Sequence, residues 1–267
     1  MRQEEQQEDN LVFESTIVGY SLVFSGTKGL MTLFLLMSPF FALVFVASDL
    51  LLLTTKFIPI NENPYGIFGH PRVIEKLQEV LLLFFSAPVL AASYRFVSQG
   101  IMIPRFYLGE LFKIATLKVF LWTFFIRTIA ALPALLMVTF FSEGLQKVLQ
   151  PHVAAGFFFV TEKYIALSLC FVLPAIAIGR PPSFLVSLRE TSGNFLTLLS
   201  IFLLTTIPFW GLSAAGPLLK EGIFADNYEL SLAMRTLLKL IALYLSLAPL
   251  GAITHLYRAL VLEHRNT

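Results

Sequence analysis

The sequence predicts an all-α polytopic membrane protein, with six transmembrane helices arranged as three tandem repeats of an interfacial helix followed by a two-span hairpin. Three observations carry this. Of 267 residues, 57% are hydrophobic and 13% charged, and the mean hydropathy is +0.78, far from the roughly one-quarter charged composition of soluble domains. Six apolar runs each approach the ~20 residues a helix needs to cross ~30 Å of hydrocarbon. A proline falls inside every one of them.

The runs are Leu30–Leu53, Val80–Val97, Thr123–Phe141, Phe157–Ile178, Phe195–Gly216 and Met234–Leu256. Most of the 27 phenylalanines fall in them, with little amphipathic periodicity, as expected of helices surrounded by lipid. Their prolines are Pro39, Pro88, Pro133, Pro174, Pro208 and Pro249. A mid-helix proline costs about 3 kcal/mol in water, whereas in a bilayer neighbouring helices and hydroxyl side chains can satisfy the freed carbonyl. Kinked spans are expected. Proline is common in membrane helices, but one per span at similar depth points to a repeated unit. The longest connection, Thr54–Glu79, reads as turns followed by a short helix near Val73–Glu79.

The even spans share Pro-x-x-Ala followed by a basic residue: Pro88 and Ala91 then Arg95, Pro174 and Ala177 then Arg180, Pro249 and Ala252 then Arg258. Ahead of each odd span lies a mildly polar stretch, Phe13–Gly26, Gly109–Trp122 and Ser183–Asn194, each suited to an amphipathic helix in the interface. The units cover about residues 13–100, 109–180 and 183–260 of a single integral membrane domain, 1–267, and two crossings per unit make them parallel repeats. Small residues four apart, Ala87 and Ala91, Ala175 and Gly179, Ala248 and Ala252, allow close backbone approach. The prolines and these alanines are therefore candidate packing positions at the centre of a pseudo-threefold bundle.

The first ten residues, MRQEEQQEDN, lack the basic region and apolar core of a cleaved leader, so the first span is expected to stay as an anchor. Cations such as Arg95, Lys113, Lys118, Arg180, Arg189 and Arg258 gather on the side of the termini, against Lys56, Arg72, Lys76, Lys147 and Lys220 opposite. The excess places both termini in the cytoplasm. Cys170 alone gives no disulfide framework, and a net charge of +2 argues against nucleic acid.

Charges inside spans are functional candidates, because they are costly there. Arg127 is one; aligning Trp122 with Asn194 starts its span near Thr123 and leaves Arg127 about one turn, ~6 Å, inside, able to snorkel. Asp49, Glu162, Lys163, Arg235 and Lys239 fall toward the non-cytoplasmic ends. One reading makes Asp49, Glu162, Arg235 and Lys239 a polar vestibule for an anionic ligand or lipid headgroup; the other makes them ordinary interfacial charges. Glu110 and Glu190 read as interfacial polar residues. His70, His152, His255 and His264 form no zinc or HExxH spacing, and neither a nucleophile elbow nor a phosphate-binding loop occurs. No catalytic residue, cofactor or metal site is expected.

At SFLVSLRETSGNFLTLLSIFLL the chain resembles the YciC-like family of uncharacterised polytopic bacterial inner-membrane proteins, related to the membrane domain of some glycerophosphodiester phosphodiesterases. Ser183, Thr191, Gly193 and Asn194 match its Ser-x-x-x-Ala-x-x-x-Thr-x-Gly-Asn stretch, with Leu173-Pro174-Ala175 upstream; Ser187 replaces the alanine. The resemblance implies the bacterial inner membrane and no established activity. The expectation is a non-enzymatic protein whose partners are the lipid bilayer and another membrane protein, acting in membrane organisation; the alternative is a small transporter or channel for a lipid or small anion.

Overall fold

Proline and glycine decide where the helices of this chain break and end. The computed structural model describes residues 2–24, 28–55, 71–102, 107–148, 151–222 and 228–263, with side chains described over most of each stretch. The connection containing His70, and His264, lie outside the described residues, as does the side chain of His152. In chain order the helices are α1 (Arg2–Phe24), α2 (Lys28–Thr55), α3 (Pro71–Gln99), α4 (Tyr107–Leu111), α5 (Ile114–Val148), α6 (Pro151–Ser168), α7 (Val172–Ala177), α8 (Phe184–Gly193), α9 (Phe195–Gly222), α10 (Tyr228–Leu245) and α11 (Leu247–Tyr257), followed by a π-helical segment, Arg258–Glu263. Among the described residues there is no strand.

Five stretches are long and apolar enough to cross a membrane: Gly29–Leu52, Val73–Gln99, Ile114–Pro133, Val160–Ala177 and Leu230–Leu262. Phe184–Gly193 and Phe195–Pro208, bent by 86°, supply a sixth when taken together, and α9 alone runs for 28 residues. The protein is a polytopic all-α membrane protein.

Pro39, Pro88 and Pro133 sit inside continuous helices. Pro174 and Pro249 do not: the fourth run breaks into α6 and α7, and the sixth into α10 and α11, so each proline becomes the third residue of a new helix. Both prolines still lie inside single candidate spans, Val160–Ala177 and Leu230–Leu262, beside breaks where kinks were expected. The first turn is where a missing N–H and a fixed φ do least harm. At the first break Val172 N–H donates to Leu169 O at 3.1 Å, not to Ser168 O four residues back. Ser187 Oγ donates to Ser168 O at 2.8 Å, and Thr191 Oγ1 approaches it at 3.1 Å while also donating to Ser187 O at 2.7 Å. Both hydroxyl residues are 1% exposed.

Glycine ends two even spans. Gly100, at φ +68, closes α3 with its N–H on Phe96 O at 2.8 Å; Gly179, at φ +82, follows α7, and Arg180 N–H reaches back to Ala175 O at 2.9 Å. Positive φ is cheap only for glycine, and these bonds satisfy carbonyls that the helix end would orphan.

The stretch Ser183–Asn194 folds as expected: Ser183 caps α8 by accepting from Val186 N–H at 3.3 Å, and Asn194 ends it. Gly109–Trp122 is not one interfacial helix. It divides between α4 and the first turns of α5, which runs unbroken from Ile114. Nor does α1 lie free in the interface; it packs antiparallel on α11 and beside α9. Ser15 Oγ bonds His255 Nδ1 at 3.1 Å, Tyr20 Oη donates to Leu204 O at 2.6 Å, and Tyr244 Oη donates to Val23 O at 2.9 Å. Gly19 and Gly251 make the approach possible: a Cβ on Gly251 would lie 3.2 Å from Gly19 Cα, and one on Gly19 would collide with Ala248 O and lie 3.0 Å from Ala252 Cβ.

The even helices α3, α7 and α11 occupy the centre. α3 packs against α7 and α11, while Phe171, just before α7, and Ala175 within it share one apolar cluster with Ala252, Leu256 and Tyr257. Pro88, Ala91, Pro174, Ala177 and Ala252 are buried and Pro249 is half-buried. The odd spans surround them, held by aromatic pairs such as Phe40–Phe85 at 5.3 Å, Phe84–Phe120 at 5.4 Å and Phe34–Tyr244 at 4.8 Å.

Two outcomes are expected from thermal melts of the purified protein. Gly19→Ala should destabilise by about 1–3 kcal/mol, the range for overpacking, while Gly193→Ala, whose Cβ meets nothing within 4 Å, should be neutral or slightly stabilising. Ser187→Ala/Thr191→Val, which strips Ser168 O of its donors, should cost about 1–3 kcal/mol, and Thr191→Val alone much less.

Candidate functional site

An ionised side chain in an apolar bundle needs a helix end, a partner or a cavity. Arg95, Arg180 and Arg258 mark one end of the even spans. Lys76 precedes Arg95 by 19 residues within the continuous helix α3, about 28 Å at 1.5 Å per residue, while Lys239 precedes Arg258 by 19 and Glu162 precedes Arg180 by 18 across the breaks of their runs. The α3 interval approximates the hydrocarbon thickness. Charges therefore collect in two rows, one at each end of an apolar band.

In the row opposite the arginines, Lys239 Nζ on α10 lies 3.0 Å from both carboxylate oxygens of Asp49 on α2, and 5.2 Å from the centre of the Phe45 ring. The expected meeting of Asp49 and Lys239 is present. Arg235 donates from Nε to Ser231 O at 3.4 Å, one turn earlier on its own helix. Glu162 pairs with adjacent Lys163 at 3.2 Å; among the described residues no hydrogen bond or ion pair joins it to Arg235 or Lys239. The four residues thus form one interhelical ion pair and two separate local contacts.

Arg127 is not one turn inside its span. Because α5 starts at Ile114, Arg127 lies roughly 20 Å along that helix, and it lines a half-open cavity of about 440 Å³ with Lys76, Glu79 and Leu83 of α3 and Phe124 and Leu132 of α5. Lys76 and Glu79 form an exposed pair at 2.8 Å. Thr128 Oγ1, also on the wall, donates to Phe124 O at 2.9 Å. Arg127 itself is exposed and makes no hydrogen bond or ion pair with a described residue.

At the opposite end the structure holds a cluster that sequence reasoning missed. Glu110 on α4 is 3% exposed and is bound by Arg95 Nη2 at 3.0 Å and by Lys113 Nζ; Arg95 Nε also donates to Ala91 O at 3.2 Å. Glu110 and Lys113 are three residues apart, but Arg95 lies on α3, 15 residues from Glu110, so no helical spacing signals that pairing. Glu190 is bound by Arg189 at 2.7 Å and remains at the surface of α8. The Ser187–Thr191 contact with Ser168 was within reach, since hydroxyls four apart occupy one helix face.

Among the described residues no three or more His, Cys, Asp or Glu side chains gather as metal ligands do. No family model, curated protein or solved structure matches the chain.

The Asp49–Lys239 pair is testable by a double-mutant cycle in thermal melts. Lys239→Met should cost about 1–3 kcal/mol by leaving a largely buried carboxylate unpaired, and adding Asp49→Leu should recover most of it. Glu110→Gln should be the more destabilising change, because two cations then lose their counter-charge.

Proposed function

We propose that this chain is a non-enzymatic protein of the bacterial inner membrane, built from three related units and acting in membrane organisation or as the partner of another membrane component. The observation that carries this reading is the closed centre: Ala91, Ala252 and Leu256 are 0% exposed, and α3, α7 and α11 meet through alanine, leucine and aromatic side chains, with hydroxyls such as those of Ser93, Ser98 and Thr254 but no charged side chain buried on these three helices among the described residues. A permeation route needs a polar or wettable axis, and the half-open cavity lies laterally, between α3 and α5.

The three-unit reading draws support from how the short helices dock. α4 packs on α3, the span before it; α8 packs on α6, the span before it; and α1, with no preceding span, packs on α11, the last one. A cyclic arrangement of units 13–100, 109–180 and 183–260 accounts for all three by one rule. The resemblance around Ser183, Thr191, Gly193 and Asn194 supports the inner-membrane assignment, and the distribution of cations supports cytoplasmic termini.

The broken spans α6–α7 and α10–α11 favour the second reading, transport of a lipid or small anion, because transporters bind substrate at discontinuous helices. Against it, the carbonyl released at the first break is taken by Ser187 and Thr191. Reconstitution decides between the two. Proteoliposomes are expected to show chloride and phosphate flux and phospholipid scrambling equal to protein-free vesicles, while cross-linking in native membranes returns the same membrane protein reproducibly. Protein-dependent flux would replace the scaffold reading. Orientation is read in a Cys170→Ala background: Leu185→Cys should label only after permeabilisation, and Lys147→Cys in intact cells.

A further inference from the structure

We propose that the lateral groove between α3 and α5 is a binding site for one anionic phospholipid, whose phosphate meets Arg127 and whose acyl chain covers the apolar wall. The groove combines two features that only a charged amphiphile satisfies together. It is lined by Val80, Leu83, Phe124, Ala131 and Leu132 together with Arg127, Thr128, Lys76 and Glu79. Phe124 and Leu132 are 44% and 41% exposed, so the wall faces outward, toward the surroundings of the bundle. The volume of about 440 Å³ falls within the ~300–1,000 Å³ of small-molecule sites.

The charge balance selects the headgroup. Lys76 is engaged by Glu79 at 2.8 Å, which leaves Arg127 as the surplus cation of the groove among the described residues. A guanidinium presents paired donors that match phosphate oxygens bidentately, and pairing also lowers the cost of keeping that charge next to hydrocarbon. Free phosphate would neutralise Arg127 but leave the wall bare. A zwitterionic lipid would cover the wall, but its own ammonium group already balances its phosphate, so its headgroup offers no net charge to offset Arg127. This site is independent of the scaffold reading, since it uses neither the closed centre nor the unit arrangement.

The test uses the full chain in detergent, with native mass spectrometry and thermal melts, probed with dioleoylphosphatidylglycerol, dioleoylphosphatidylethanolamine and inorganic phosphate. The expected result is one retained phosphatidylglycerol per chain, at least tenfold preferred over phosphatidylethanolamine, with no stabilisation by phosphate. Arg127→Gln should abolish that preference, and Ala131→Trp, which fills the groove and keeps every charge, should remove retention of both lipids. Wild-type preference in Arg127→Gln, equal retention of the two lipids, or stabilisation by phosphate alone would overturn the site. Should Arg127→Gln fail to fold, Ala131→Trp decides: phosphatidylglycerol held at wild-type level there overturns the proposal as well.

Discussion

Hydrocarbon offers no hydrogen bonds, so every backbone group inside the bundle must find its partner in the protein. This constraint organises the molecule. Proline at 174 and 249 forces new helix starts, and a new start leaves carbonyls behind it without N–H partners. The structure meets Ser168 O with hydroxyls from α8, which fixes where α8 docks. It also explains why α8 is amphipathic in the reverse sense: Ser187 and Thr191 point inward, whereas Leu185 is 80% exposed. In water that arrangement would waste apolar surface; against lipid it costs nothing and places the polar groups where they are needed.

With no hydrophobic force between helices in lipid, close packing has to hold the centre, and close packing needs small residues. The crossing of α1 and α11 at Gly19, Ala248, Gly251 and Ala252 is the tightest consequence. It brings Ser15 beside His255 and Tyr244 beside Val23 O, so polar groups are satisfied as a by-product of the approach. A centre filled in this way excludes charge. The ionic contacts are displaced to the two rims, where Glu110 ties α4 to α3 and Asp49 ties α2 to α10.

Much of this was legible in the residues. The apolar runs located the spans, and the small residues beside Pro88, Pro174 and Pro249 located the central helices, because composition and helical spacing report burial directly. Ser183 and Asn194 bounded α8 correctly, since caps are local chemistry. Sequence failed where the deciding interaction was not local. Gly109–Trp122 has the same length and polarity as Ser183–Asn194, yet a break at Phe112–Lys113 followed by an uninterrupted helix moved Arg127 roughly two turns along its span relative to the alignment. Asp49 and Lys239 could be matched by sign and depth, but Arg235 and Glu162 share those attributes without meeting. Arg95 on α3 and Glu110 on α4 come together from two helices, 15 residues apart, which periodicity does not encode.

These contacts also separate the charges by what would follow from their loss. Glu110 is enclosed by its own cations, and Asp49 with Lys239 spans two elements far apart in sequence; both are internal fastenings whose neutral isosteres would loosen the rim and nothing else. Arg127 differs in kind. Its neighbours across the groove are already paired with each other, and the groove wall is largely apolar, so among the described residues nothing pairs with the guanidinium, and Phe124 and Leu132 of the wall stay exposed. A membrane protein whose centre is closed communicates with its surroundings through its flank. The flank where Arg127 and exposed apolar surface lie together is therefore where the proposed ligand is a lipid of the bilayer rather than a solute crossing it.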